Sequence, residues 1–210
     1  MVSVPVSVVL KTLKKMYPDA GCTLDWDTPL GLLVATILSA QCTDKRVNIV
    51  TKTLFKKYKT PQDYLNVTQA ELERDIHSCG TFRMKALAIR ETCKTLLKDF
   101  GGQVPRTMAE MLTLRGVGRK TASVVLSTVY GIEEGIAVDT HVTRIAKLLG
   151  LTRHTAQAKI ERDLMKKTPR AEWSNLSHLL IAHGRATNAA RNPDLALLPF
   201  LAYAKPKKKR

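Results

Sequence analysis

The sequence has no apolar run approaching the ~20 residues needed to span a bilayer, so no membrane helix is expected. Residues 1–10 carry no basic stretch ahead of their apolar residues; no secretory signal is expected, and the chain reads as cytoplasmic. Cysteine is scarce. Cys22, Cys42, Cys79 and Cys93 are the four present, and none lies beyond position 93. No pair has the close spacing of a zinc knuckle, so no metal site is expected from them and buried free thiols are their expected state. Acidic residues are few as well: 18 Asp and Glu stand against 34 Lys and Arg, a formal charge of +16. Five of those charges lie in residues 205–210, and +11 remains without them. A surplus that large implies an acidic partner, nucleic acid before a membrane surface.

Alternating apolar and polar residues are nearly absent, and only Ile136-Ala137-Val138 reads as extended. No internal repeat is found. What remains is helical periodicity and 44% apolar residues, enough for a sizeable core. Val6, Val9, Leu10, Leu13, Met16 and Tyr17 share one helical stripe. Thr28-Pro29 has the form of an N-cap and first helical residue, opening an apolar helix over residues 30–40. A more amphipathic helix follows over residues 44–58. Thr68 with Glu71, and Thr107 with Glu110, fit capping boxes. Ala86, Ile89, Cys93, Leu96, Leu97 and Phe100 form a stripe ended by Gly101-Gly102. Val142, Ile145, Ala146 and Leu149 form one ended by Gly150, and Trp173, Leu176, Leu180 and His183 one ended by Gly184. The fold class is all-α, with about ten short helices. The basic tail, residues 205–210, is a solvated end, a loose phosphate binder or a nuclear address.

The informative stretch is Leu114-Arg115-Gly116-Val117-Gly118-Arg119-Lys120-Thr121-Ala122, between two helical patterns. Two helices joined by Gly-x-Gly make a helix-hairpin-helix. Its glycines allow a tight turn and close approach to another surface. The amides after it open a helix, where unpaired N–H groups and the dipole favour an anion. Gly116, Val117 and Gly118 thus suit a DNA phosphate, although such a turn alone also serves only to reverse a chain. Lys120 falls in the first turn of the second helix, beside Arg119, where the positive helix end and a neighbouring cation disfavour a protonated amine. Such a lysine can be a nucleophile; a surface lysine with its charge in water is the other reading. Asp139 lies 19 residues on, before another helix, placed as an N-cap. A fixed carboxylate beside a deprotonatable lysine is also the pair that attacks a sugar carbon.

These motifs resemble the endonuclease III family of the helix-hairpin-helix DNA glycosylase superfamily. The matching residues are Leu38-Ser39-Ala40-Gln41 with Thr43-Asp44, the hairpin 116–122, Ala137-Val138-Asp139-Thr140-His141, and His183-Gly184-Arg185. They occur in order across residues 28–193. The resemblance implies two helical lobes with the active site in the cleft between them: a barrel lobe at 22–133, and a second lobe from 1–21 plus 134–204, followed by the tail. It implies a bifunctional glycosylase and abasic-site lyase acting on double-stranded DNA. Lys120 attacks the sugar, Asp139 assists, and oxidised pyrimidines are the substrates. By the same resemblance Gln41 fills the gap left by a flipped base, and Thr81 occupies the usual wedge position with Phe82 as the other candidate. Arg119 and Arg191 join the DNA-binding set. Arg115 stands where the family has proline. A monomer associated with the nucleoid is expected. Two alternatives stand beside this: a superfamily glycosylase for 8-oxoguanine or a mismatched base, and a non-catalytic helix-hairpin-helix DNA-binding protein.

The family closes its C-terminal loop with four cysteines around a [4Fe–4S] cluster. The corresponding positions here are Asn188, Leu195, Leu198 and Ala204. Thiolates hold such clusters, so no cofactor is expected. Leu195, Leu198, Pro199 and Phe200 are expected to form an apolar anchor in its place.

Overall fold

The computed structural model describes residues 3–203, so the basic tail lies outside the described residues. Those residues form twelve α-helices and three 3-10 turns, and no strand occurs among them. Ile136, Ala137 and Val138 are buried and belong to no helix or strand. No helix among the described residues is long and apolar enough to cross a membrane.

The chain divides into two units. One runs Thr23–Glu134; the other combines Met1–Cys22 with Gly135–Arg210. In the first, α2 (Pro29–Leu38) is the central element, with every residue from Leu30 to Leu38 buried. Thr28 caps it by accepting from the Gly31 amide at 3.0 Å, and Pro29 supplies the pre-set first turn. Around it pack α3 (Asp44–Lys57), α6 (Phe82–Asp99) and α8 (Arg119–Tyr130). The short helices α4 (Pro61–Asn66), α5 (Gln69–Asp75) and α7 (Met108–Met111) fill between them. The reciprocal capping box of this unit is at Thr60 and Asp63, where each caps the other's backbone. At Thr68 and Thr107 the hydroxyl accepts from the Glu71 and Glu110 amides. Glu110 in turn accepts from the Thr107 hydroxyl at 2.8 Å.

The second unit packs α1 (Val6–Met16), α9 (Thr140–Leu148), α10 (Gln157–Lys167), α11 (Trp173–Ala186) and α12 (Pro193–Leu197) around one apolar core. Val9, Leu13, Val142, Ile145, Leu176 and Leu180 are among its fully buried residues. Two expectations from periodicity are corrected here. Met16 is 43% exposed, because it falls at the end of α1 where the stripe leaves the core. Gly184 does not end its helix; α11 continues to Ala186. A Cβ at Gly184 would stand 3.0 Å from His141 Nδ1 and 3.3 Å from the Ile145 side chain, so this glycine lets α9 press against α11.

The expected anchor of the C-terminal loop is also corrected. Leu195 is 46% and Leu198 54% exposed, and Pro199 is exposed. Of the expected anchor only Phe200 is buried in the core, and Ala189 and Ala196 hold the loop beside it. Phe200 stands edge-on to the His183 ring, 6.0 Å between centroids. His183 Nε2 donates to the Ala196 carbonyl at 2.8 Å, which leaves Nδ1 to accept from the Tyr17 hydroxyl at 2.9 Å.

Candidate active-site residues

The hairpin lies wholly in the first unit. After α7 the chain turns through Gly116 at φ +78°, with the Val117 amide donating to the Leu114 carbonyl at 3.2 Å. Leu114 and Val117 are buried beneath it. The two glycines differ in what they require. Gly116 needs its left-handed backbone, and a Cβ there would meet Ala88 Cβ at 3.0 Å. Gly118 is the N-cap of α8 in ordinary extended geometry, φ −96°, and a Cβ there would meet nothing within 4 Å. Packing within the chain therefore explains Gly116 and leaves Gly118 open toward the exterior. No side chain caps α8. Its first amides have no partner within the helix, as at any helix start, and carry the positive end of its dipole.

Arg119 and Lys120 are the first two residues of α8, and both are exposed. Arg115 is exposed too, and its carbonyl accepts from the buried Thr92 hydroxyl at 2.8 Å, tying the turn to α6. Asp139 belongs to the second unit. It is the N-cap of α9: its Oδ1 accepts from the Val142 amide at 2.8 Å, which fixes the carboxylate's direction. His141, in the first turn of that helix, packs against Gly184.

Gln41 and Thr81 are exposed and share an uncommon feature. Both are non-glycine residues in the left-handed region, at φ +53° and +40°. Such backbone costs a side-chain-bearing residue energy and is concentrated at functional sites. Phe82 is the first residue of α6, half-buried, with its ring 4.8 Å from that of His77 and the Arg83 guanidinium over it at 5.4 Å. The exposed tip of this turn is thus Thr81, and Phe82 braces it. Arg191 is exposed, in a turn where Asn188 also has positive φ, +45°, and the Arg191 amide donates to the Asn188 carbonyl at 2.8 Å.

One residue of this region was missed by sequence reasoning. Lys85 is 5% exposed. Its ammonium donates to the Leu38 carbonyl at 2.8 Å and to the Cys79 carbonyl, joining the end of α2, three residues before Gln41, to the turn before Thr81. Burial holds its pKa below the usual lysine value. The signal was available: Lys85 precedes Ile89 by one helical turn and Cys93 by two, so it lies on the buried face of α6. Among the described residues no group of three or more His, Cys, Asp or Glu is arranged to hold a metal ion. Asn188, Leu195 and Leu198 carry no thiol group.

Residues 34–170 match the model of the HhH-GPD superfamily base excision DNA repair proteins. The chain is 52% identical to endonuclease III of Synechocystis over 185 residues, 88% of this chain and 84% of that one. It is 46% identical to endonuclease III of Bacillus subtilis over 206 residues, 98% and 94% of the two chains. Among solved structures it resembles a trapped endonuclease III–DNA covalent intermediate with TM-score 0.89 and 46% identity, covering 94% of this chain and 93% of that one.

Proposed function

Because the chain belongs to the endonuclease III family of the HhH-GPD superfamily, we propose that it is a bifunctional DNA glycosylase and abasic-site lyase of base excision repair. Its partner is double-stranded DNA carrying an oxidised pyrimidine or an abasic site. The observation that carries this is the start of α8: an uncapped helix end, an outward-open Gly118, and an exposed Lys120 two residues on.

In this reading the amides after Gly118 and the arginines beside them seat a backbone phosphate, and the damaged nucleotide is turned out of the stack. The Lys120 amine attacks C1′. The N–C1′ bond forms as the bond to the base breaks, and the base leaves with the electron pair and takes up a proton. Opening of the sugar ring gives an imine between Lys120 and C1′. Loss of a proton from C2′ then expels the 3′ phosphate and nicks the strand, and water hydrolyses the imine to free the lysine. Asp139, held in one direction by the Val142 amide, accepts the proton of the attacking amine and offsets positive charge on the sugar. Gln41 enters the vacated space in the duplex, Thr81 is the second inserted tip, and Arg191 holds phosphate.

The same reading has the enzyme working without an iron–sulfur cluster. The purified protein is expected to contain no iron by elemental analysis; stoichiometric iron overturns that part. Nicking of duplexes that carry thymine glycol, 8-oxoguanine or a mismatch tests the whole. Cleavage of the thymine glycol duplex, abolished in Lys120→Ala with duplex binding kept, supports the proposal. Preference for either other duplex turns the reading to another superfamily glycosylase. Binding without any nicking turns it to a non-catalytic DNA-binding protein.

A further inference from the structure

Two of the four cysteines form a pair. Cys42 directly follows Gln41 and Cys79 precedes Thr81 by two residues, so a thiol stands at the base of each left-handed tip. They are 37 positions apart in sequence. The fold joins them: the 3-10 turn His77–Cys79 packs on α3, whose N-cap Thr43 is the residue after Cys42. The thiols are neighbours, linked by a weak side-chain contact, with the Lys85 ammonium and the Arg46 guanidinium close by. Lys85 also fixes the backbone on both sides, through Leu38 and Cys79. None of the four cysteines is disulfide-bonded, and only Cys79 and Cys93 meet the expectation of burial; Cys42 is half-exposed.

We infer that Cys42 and Cys79 are a peroxide-oxidisable dithiol whose disulfide ties the Gln41 tip to the Thr81 tip and slows the enzyme. The effect on activity rests on the function proposed above; the bond itself does not. The exposures set the order of events. Cys42 is reachable from solvent and reacts first. Its thiolate attacks a hydroperoxide, forming an S–O bond as the O–O bond breaks; a sulfenic acid and an alcohol result, or water when the oxidant is hydrogen peroxide. Cys79 is fully buried, and burial, then the Cys42 thiol, pushes its own pKa up to about 11, which keeps it a thiol and out of the first oxidation step. Its sulfur attacks the sulfenic sulfur, the S–S bond forms, and the hydroxyl leaves as water with the Cys79 proton. The two sulfurs lose one electron each, and the peroxide gains both.

A disulfide needs the sulfurs at about 2.05 Å, well inside any thiol contact, so its formation draws positions 42 and 79 together. Position 42 adjoins the left-handed Gln41, and position 79 lies two residues before the left-handed Thr81. Reduced, the two bases are joined only through the Lys85 ammonium; oxidised, a covalent bond joins them as well.

The test uses the full-length protein, reduced and then treated with hydrogen peroxide. It is digested with trypsin without reductant. Cys22 and Cys42 share the tryptic peptide 16–45, while Cys79 lies on 75–83, so Cys22→Ser serves as the background. The expected result is a link between 16–45 and 75–83, lighter by two hydrogens than the separate peptides, absent in Cys79→Ala and in Cys42→Ser. Nicking of a lesion duplex falls roughly tenfold or more on oxidation, since displacing a positioning group by ~1 Å can cost ~10²-fold. Dithiothreitol restores it. Cys79→Ala matches the reduced parent and is insensitive to peroxide; if it folds poorly, the half-exposed Cys42→Ser gives the same comparison. Over-oxidation of Cys42 with no link, or a link through Cys93 instead, overturns the site. A full yield of the link with unchanged nicking overturns the switch. A reduced protein that nicks no duplex overturns the proposed function and the activity effect with it, while the peptide masses still decide the bond.

Discussion

The two hairpin glycines can be separated by exchanging each for alanine. At Gly116 the change meets two obstacles. An L-residue at φ +78° pays ~1–2 kcal/mol for the left-handed backbone. A methyl 3.0 Å from Ala88 Cβ overpacks a seam between α6 and the turn, which costs ~1–3 kcal/mol. The stiffer unfolded chain returns ~0.4–1 kcal/mol. Gly116→Ala should therefore lose roughly 2–4 kcal/mol of stability, a melting temperature lower by roughly 5–15 °C for a chain of this size. Gly118→Ala meets neither obstacle, since its backbone is extended and its Cβ would be in open space. Its stability should stay within about 0.5–1 kcal/mol of the parent, a poorer N-cap being offset by the stiffer chain. The same methyl occupies the approach to the α8 amides. Losing one hydrogen bond to a charged phosphate costs ~1.5–3 kcal/mol, so duplex affinity should fall roughly tenfold to hundredfold. Thermal melts and a duplex-binding titration at fixed salt read the two effects. A melt for Gly118→Ala as depressed as that of Gly116→Ala refutes the steric distinction. Parent-like duplex affinity in Gly118→Ala refutes the phosphate seat.

Asp139→Asn keeps an acceptor for the Val142 amide, so the melt should move little while turnover drops by several orders of magnitude; equal losses of both would reduce Asp139 to a cap. Phe200→Ala should cost ~3–5 kcal/mol and Leu198→Ala under ~0.5 kcal/mol, as urea melts can measure; the reverse order would restore the leucine anchor. His183 is buried between Tyr17 and Ala196, and desolvation lowers its pKa. Its folded pKa lies below its unfolded one, so its neutral form supports the fold above the ordinary histidine pKa of 6.5. That support is lost as pH falls through the interval below 6.5, by up to ~1.4 kcal/mol per pH unit. Melts between pH 7.5 and 5 should show this decline, and His183→Gln should make it shallower, leaving the part due to His178, whose pKa burial also lowers.

How much of this the sequence revealed depends on how local each cause is. The stripes of α1, α6, α9 and α11, apart from the exposed Met16 and Leu97, and the caps at Thr28 and Asp139 were legible, because period and capping act within a few residues. Gly184 was misread because its cause is His141, far away in sequence. Leu195 and Leu198 were misread because burial in a short irregular loop is set by the body it folds onto, where Phe200 and Ala196 won the places. Lys85 shares the apolar stripe of α6 and was passed over for its charge. The Cys42 and Cys79 pairing had no sequence signal, since only the packing of α3 on the turn 77–79 unites them. Lys120 stood out through its neighbours: a turn glycine, an N-cap glycine and a helix start in fixed order.

The most direct test of the central claim is covalent capture. Sodium borohydride reduces an imine between lysine and an abasic sugar to a stable amine. Incubated with an abasic-site duplex and borohydride, the parent should form one protein–DNA adduct, and peptide mapping should place it on Lys120. Lys120→Ala should bind the duplex and yield no adduct. An adduct as abundant in Lys120→Ala as in the parent, or one mapped to any other residue, contradicts the account.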